Sequence, residues 1–214
     1  MKAVLRSLFG ENLKNLFFLN MLTVLGSLPV VTAGTAAATM DSLMVRLTEG
    51  EFIPRLAHEY WITYRRLLKK TVPATLLCLV YFAAMLWCMS VSRQLKTGGT
   101  GLYLISWFFA GAAALIAVWW FFILGTVKLS FQDSLWNALC LSFGRFPQSL
   151  AAGLIIWGML YAAVLLYPAS LAPYFVLFLA GAQAIGLAFL WKPLETLVLN
   201  RYERLDEEEE TTEI

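Results

Sequence analysis

Charged side chains are scarce in this sequence: they make up 14% of its 214 residues, whereas a soluble globular domain has about 25%. Hydrophobic residues make up 60%, and the mean hydropathy is +0.70. A surface this poor in charge is unsuited to water, which excludes an ordinary soluble domain. The formal net charge is +2, so the sequence also lacks the strongly basic surface of nucleic-acid binders, and we expect no nucleic acid as a partner.

Groups that hold metals or carry out catalysis are also few. His58 is the only histidine, and the three cysteines, at positions 78, 88 and 140, form no CxxC pair and no metal-ligand spacing. No GxSxG, HExxH, Walker A or GxGxxG motif occurs. We therefore expect no catalytic residue, no metal, no cofactor and no enzymatic activity, and we interpret the cysteines as small buried hydrophobes.

Long apolar runs are what the sequence does have. A helix needs about 20 apolar residues to cross a hydrocarbon core roughly 30 Å thick, and only a helix satisfies its own backbone amides there. The predicted spans are 16–38, 72–91, 102–127, 150–167 and 171–191. The sequence thus predicts an all-α, polytopic bundle with about five spans in one transmembrane domain, 1–192, followed by an acidic cytoplasmic tail, 193–214.

Amphipathic segments are predicted before the second and fourth spans. Apolar residues recur at helical spacing in both segments. The first stripe is Ile53, Leu56, Tyr60, Tyr64 and Leu67, and the second is Trp136, Leu139, Phe143 and Phe146. Pro73 and Pro147 follow the two segments and are predicted to start spans, since proline fits the first turn of a helix. The shared order indicates a parallel internal repeat.

Lysine and arginine set the expected orientation. If all five segments cross, one side of the membrane holds 11 of these residues and the other side 5. The richer side, which includes 39–71 and the C-terminus, should be cytoplasmic. The sequence therefore predicts a multi-pass protein of the cell membrane, with its C-terminus inside and its N-terminus outside.

The first span is interrupted by Pro29 and Gly34, and two interpretations are open. In one, freed carbonyls together with Asn20 and Thr32 line a polar site, as in the broken helices of transporters. In the other, the break is a structural kink that leads into a helix at 35–48. A related alternative is that the segment enters and returns on one side, which would place 14 lysine and arginine residues inside and 2 outside.

Few polar groups lie within the predicted spans. Asn20 and Gln183 are the notable ones, and each can serve either as a substrate contact or as a partner in an interhelical hydrogen bond. No ionisable side chain of the Asp, Glu, Lys, Arg or His type lies in the middle of a predicted span. This absence counts against an ion-coupled pump, which usually needs such a group.

Two surface features suggest partners. The cluster Arg65, Arg66, Lys69 and Lys70 abuts the second span, where it can contact anionic lipid headgroups or simply fix the topology. Small residues four positions apart, as in Ala182 and Gly186, permit close helix approach within one chain or in a homo-oligomer.

The stretch around the break resembles the signature of the YesL-like family of bacterial integral membrane proteins. The matching residues are Asn20-Met21-Leu22 and the run Ser27-Leu28-Pro29-Val30-Val31-Thr32-Ala33-Gly34, followed by an aromatic-rich, basic segment at 60–70. The family pattern is "slPvvTiG", and Ala33 departs from its usual Ile or Leu. The resemblance implies a genetic context of carbohydrate uptake and degradation, with no established activity.

Two functions are therefore expected from the sequence. The first is a non-enzymatic accessory or interaction partner of a bacterial carbohydrate-uptake system, in contact with the lipid bilayer and with ABC-type sugar permease components. The second is a small solute transporter, or a transporter subunit, with a site at the broken first helix.

Overall fold

The computed structural model describes residues 13–95, 98–165 and 179–194, together with Leu8, Gly10 and Thr196. This part of the chain is almost entirely helical and contains no strand, which confirms the all-helical prediction. A 3₁₀ turn, Val30–Thr32, separates the first two helices. The helices are α1 (Leu13–Ser27), α2 (Ala33–Thr48), α3 (Leu56–Gln94), α4 (Gly99–Thr126), α5 (Phe131–Gly144), α6 (Phe146–Leu165) and α7 (Leu179–Leu194).

Two of these helices, α3 and α4, are long and apolar enough to cross a membrane. A third span results if α5 and the start of α6, which meet at a bend of 103°, form one broken span. The described helices thus support a helical membrane protein with two or three candidate spans. The turn 168–170, most of the tail 193–214 and parts of the fourth and fifth predicted spans lie outside the described residues.

Helix α3 differs from the sequence prediction at Pro73. The amphipathic segment and the second span form one continuous helix of 39 residues, and Pro73 lies inside it instead of starting a new one. Proline removes one backbone hydrogen bond there, but packing on both sides holds the helix together. Tyr60, Tyr64 and Leu67 before it are buried, and so is Ala74 after it.

Helices α3, α4 and α6 pack as successive antiparallel neighbours. The Tyr81 hydroxyl of α3 contacts the carbonyl of Phe109 in α4 at 3.4 Å. The Trp119 indole of α4 donates to the Ser149 hydroxyl of α6 at 2.8 Å. Farther along, the Trp157 indole of α6 donates to the Ala114 carbonyl at 3.2 Å. The bond of Trp119 satisfies a buried N–H group that would otherwise be costly in an apolar interior, whereas Trp157 is exposed.

Helix α5 turns its predicted apolar stripe outward. Trp136, Phe143 and Phe146 are all exposed, whereas Ser134 and Ala138 face the interior. The small inner residues leave room for Trp120 of α4, whose indole donates to the Ser134 hydroxyl at 3.3 Å. The exposed aromatic face is the kind that a helix lying along a membrane surface presents to lipid.

The first predicted span consists of two short helices. Helix α1 ends at Ser27, and α2 begins at Ala33, so the break covers 28–32 and Gly34 lies inside the second helix. At roughly 1.5 Å per residue, neither α1 with 15 residues nor α2 with 16 spans 30 Å. The two helices pack on each other, with a Cβ added at Gly26 lying 3.4 Å from the Cβ of Ala36.

The approach of α2 to α4 generates a stability prediction. A Cβ added at Gly125 would lie 3.0 Å from the carbonyl carbon of Ala38 and 3.1 Å from its Cα. We expect Gly125→Ala to lower the free energy of unfolding by about 1–3 kcal/mol, because the crowded atoms are backbone and one helix must move. Thermal or denaturant unfolding of the purified protein in detergent measures the change.

The matched control is Gly111→Ala in the same helix, because an added Cβ at Gly111 meets no atom within 4 Å. This variant should be neutral, or stabilising by up to about 1 kcal/mol, since alanine favours a helix over glycine. If both variants lose the same free energy of unfolding, the close packing of α2 on α4 is contradicted.

Candidate functional site

Two carbonyl groups at the break, those of Gly26 and Pro29, are bonded to the protein's own hydroxyl groups. Thr32 Oγ1 donates to the carbonyl of Gly26 at 3.0 Å and to that of Pro29 at 2.8 Å. The hydroxyl of Tyr64 donates to the same Gly26 carbonyl at 2.9 Å. These bonds leave the Gly26 carbonyl little capacity for a ligand, so Pro29 and Thr32 serve the local structure of the break.

Gly34 follows the break at a point of close helix approach. It is buried, and a Cβ added there would collide with the Thr75 hydroxyl of α3 and the ring of Phe121 in α4. One residue later, the hydroxyls of Thr35 and Thr71 are 2.6 Å apart, which joins α2 to α3. The glycine is therefore explained by packing, and it also lies in the wall of a cavity.

Asn20 links α1 to α7. Its side chain is fully buried, and its carbonyl oxygen accepts a hydrogen bond from the backbone N–H of Ala180 at 2.7 Å. Ala180 is the second residue of α7, where backbone N–H groups have no partner within the helix. Asn20 thus acts as an interhelical cap, and it is not among the residues that line the cavity.

The four basic residues before the second span do not act as one group. Arg65, Arg66 and Lys69 are exposed along α3. Lys70 Nζ instead donates to the carbonyl of Leu129 at 3.0 Å and so holds the connection between α4 and α5. Contact of the first three with lipid headgroups stays a prediction.

A central cavity of about 310 Å³ lies between the helices. Helices α1, α2, α3, α4, α6 and α7 all contribute to its wall, and so does Val30 of the break. The wall is mainly apolar and aromatic, which is typical of small-molecule sites. Its polar side chains are Thr23, Ser27, Asp41, Thr75 and Gln183.

Asp41 is the exceptional residue in this wall. Its side chain is 5% exposed, and no hydrogen bond or ion pair joins it to another described residue. Removal of a carboxylate from water without a compensating charge is costly, so burial raises the pKa of the Asp41 carboxyl to about 8. Asp41 belongs to α2, outside the two helices that are long enough to span a membrane.

The other polar groups of the wall retain hydrogen-bonding capacity. Thr23, Ser27 and Thr75 each donate a hydrogen bond to a carbonyl of their own helix, at 2.8 to 2.9 Å. The oxygen lone pairs of Ser27 and Thr75 remain available, whereas Thr23 also lies against the Tyr60 hydroxyl. Gln183 is half-buried and has no hydrogen-bond partner among the described residues. The cavity therefore offers one acid, one amide and several acceptors to a guest molecule.

Asp41 is not among the site residues predicted from the sequence, because the predicted first span ends at residue 38. The helical pattern continues past that point. Gly34, Ala37 and Asp41 follow each other at spacings of 3 and 4, which places them on one face of α2, and all three line the cavity. Extension of the helix across the small-residue run would have exposed this signal.

A metal site is not indicated within the described ranges, where no three His, Cys, Asp or Glu side chains come together. No protein-family model, curated protein or solved structure matches this chain. The resemblance to the YesL-like family therefore stays a prediction, based on the residues of the first segment.

The Asn20 contact generates the second prediction. We expect Asn20→Ala to lower the free energy of unfolding by about 1–3 kcal/mol, because a buried backbone N–H of α7 loses its acceptor. The control is Asn137→Ala, since the Asn137 amide bonds the Asp133 carbonyl of its own helix at an exposed position. Unfolding of both variants in detergent, compared with wild type, gives the two values. If Asn20→Ala lowers the free energy of unfolding no more than Asn137→Ala does, the capping role of Asn20 is contradicted.

Proposed function

We propose that this protein is a small solute transporter, or a subunit of one, that binds its solute in the central cavity. The observation that carries the proposal is a cavity of about 310 Å³ whose wall combines a broken helix with the buried, unpartnered Asp41. A buried ionisable group without a partner is costly to a fold, and it typically marks a functional site. The described part of the wall holds no second carboxylate and no histidine or lysine beside Asp41, which favours binding over acid–base chemistry.

The chemistry of the wall restricts the solute. A carbohydrate carries a hydroxyl on nearly every carbon, and each buried hydroxyl needs a partner. The wall has five polar side chains among many apolar ones, so it is suited to a mainly apolar molecule with one or two polar groups. An accessory role in carbohydrate uptake stays a prediction from the family resemblance, and such a role would have to use another surface.

The orientation also belongs to this proposal. Since α1 and α2 are both short and pack on each other, we favour the alternative in which the first segment enters and returns on one side. Both ends of the chain would then be cytoplasmic, with 14 of the 16 lysine and arginine residues inside. The five-crossing alternative places the N-terminus outside.

Labelling of the two termini tests the orientation. Lys2→Cys and Thr212→Cys are made separately in a background without the three native cysteines, and intact cells are treated with an impermeant maleimide. We expect neither position to react until the membrane is permeabilised, because both lie inside. Reaction of the residue-2 position in intact cells would restore five crossings.

Filling of the cavity tests whether it is open to small molecules. Cys78 lies in the cavity wall and serves as the reporter once Cys88 and Cys140 are replaced by alanine. We expect Ala37→Leu to slow the alkylation of Cys78 by N-ethylmaleimide severalfold, because both residues line the same cavity and the larger side chain reduces the space through which the reagent enters. The rate is measured in isolated membranes by quenching and mass determination.

The matched control is Ala84→Leu, which makes the same exchange at an exposed position of α3, outside the cavity wall. In this variant Cys78 should react as fast as it does in the protein that retains Cys78 alone and keeps Ala37 and Ala84. If Ala37→Leu also leaves the rate unchanged, or if Cys78 does not react at all, the cavity is not an accessible binding site and the proposed function is wrong.

A further inference from the structure

A second cavity, which we call the outer groove, lies between α4 and α6 and has a volume of about 520 Å³. The two helices touch along its floor, where a Cβ added at Gly153 of α6 would collide with the side chain of Leu115 in α4. Of the described residues that line the groove, only Trp157 also lines the central cavity. The groove is therefore a separate space, and an inference about it does not depend on the proposed solute site.

The wall of the outer groove is apolar and faces outward. Phe108 of α4 and Leu154 of α6 line it, and they are 70% and 65% exposed. Its polar groups are already bonded within the protein. The Ser142 hydroxyl donates to a carbonyl of its own helix at 2.6 Å, and the Trp157 indole donates to a carbonyl of α4 at 3.2 Å. The part of a guest that lies in this groove must therefore be hydrocarbon, since a polar group there would lose its hydrogen bonds to water.

The length of the groove matches one leaflet of a bilayer. Along α6 its lining residues extend from Phe146 to Gly158, a distance of about 18 Å at roughly 1.5 Å per residue. The apolar part of one leaflet is about 15 Å thick, which is half of the hydrocarbon core. Because α6 runs antiparallel to α4, a candidate membrane span, the groove follows the direction of lipid acyl chains.

A transmembrane helix of a partner fits the groove less well than an acyl chain does. A helix is at least 10 Å across, so a piece about 18 Å long occupies on the order of 1,400 Å³. This volume is more than twice that of the groove, so only the side chains of such a helix would enter it. A lipid chain is much narrower and can lie in the groove with its whole width.

Arg145 provides a positive charge at one end of the groove. It lies between Phe143 and Phe146, which both line the groove, and its side chain is exposed. The ion pairs of the described residues do not include it, and the nearest carboxylate along the chain, Asp133, is at the opposite end of α5. Helix α6 begins beside Arg145, and the N-terminal end of a helix carries partial positive charge. An anionic group is therefore favoured at this end.

We propose that the outer groove binds one anionic phospholipid, with an acyl chain between α4 and α6 and the phosphate at Arg145. A guanidinium group suits a phosphate because its paired N–H donors can bond two phosphate oxygens at once. The lipid belongs to the leaflet on the side of α5. The distribution of lysine and arginine predicts that this side is cytoplasmic, where anionic lipids are attracted to basic side chains next to a span.

Native mass spectrometry of the full chain, purified in lipid-free detergent, tests the proposal by counting the lipids bound at each lipid concentration. The probes are phosphatidylglycerol, phosphatidylcholine with the same acyl chains, and glycerol 3-phosphate, which has the phosphate without the chains. We expect the first phosphatidylglycerol to bind with a dissociation constant at least tenfold lower than that of phosphatidylcholine. Glycerol 3-phosphate should not bind, because the groove recognises the chain together with the charge.

Gly158→Leu tests the place of the acyl chain. A Cβ added at Gly158 meets no atom within 4 Å, so the leucine fits the backbone and reduces the space in the groove. This variant should bind both phospholipids at least tenfold more weakly. The matched control is Gly101→Leu in α4, where the surroundings are equally open and the residue lies outside the groove wall. The control should bind both lipids as wild type does.

Arg145→Gln tests the place of the phosphate. It should remove the preference for phosphatidylglycerol and leave the binding of phosphatidylcholine unchanged, which also shows that the variant is folded. Arg145→Lys keeps the charge and should keep most of the preference. The control is Lys128→Gln, which removes an exposed positive charge just before α5, at the end of that helix away from the groove. It should retain the full preference.

Three outcomes overturn the proposal. Unchanged lipid binding in Gly158→Leu shows that the chain does not lie in the groove. An equal loss of preference in Arg145→Gln and Lys128→Gln shows that overall charge, and not a site at Arg145, selects the lipid. A lipid-free dimer that Gly158→Leu dissociates shows that a second copy of the chain covers the groove. None of these results bears on the central cavity, which the alkylation of Cys78 tests separately.

Discussion

The close approach of α2 to its neighbours is the constraint on which the rest of the structure depends. Its first turns are a run of small residues, 33–39, and they permit contact with α3 at Thr71 and with α4 at Gly125. Larger side chains would hold the three helices apart, since protein interiors tolerate little overlap. The same run carries Ala37 into the cavity wall, so that the packing that fixes α2 also leaves space beside it.

The polar groups of this interior fall into two sets. Most hydroxyls are satisfied locally, as when Thr39 donates to the carbonyl of Thr35 at 2.7 Å and Thr71 to that of Leu67 at 3.0 Å. Such bonds cost little in an apolar environment because the partner belongs to the same helix. The other set has no described partner and includes Asp41 and Gln183 in the cavity wall, together with the Tyr60 hydroxyl and the side-chain oxygen of Gln148 outside it. A missing partner alone therefore does not locate the site, and Asp41 is distinguished by its place in the cavity wall.

Much of the fold could be predicted from the sequence, because hydrophobic periodicity and length determine where helices form. The stripe from Ile53 to Leu67 is buried along its whole length. The equally periodic stripe of Trp136, Phe143 and Phe146 is exposed, because periodicity shows that a face is apolar but does not say whether protein or lipid covers it. In a membrane protein both surroundings are apolar, so the inward face of α5 is defined by its small residues, Ser134 and Ala138.

The site was less predictable for a related reason. Pro29 and Gly34 mark an irregular backbone, and irregular backbone in a membrane protein draws attention as a ligand site. Here the carbonyl of Gly26 is bonded by Thr32 and Tyr64, so the break requires no guest. What distinguishes Asp41 is its burial in the cavity wall without a described partner, which depends on the positions of neighbouring helices and is not visible in a single sequence.

A single carboxylate in an apolar wall also has a consequence for function. An ionised Asp41 without a counter-ion is unfavourable, so burial keeps the proton on the carboxyl as long as no positive charge approaches it. A group in this state responds to whatever enters the cavity, whereas the hydroxyls that are bonded within their own helices do not, and the solute site that we propose depends on this difference.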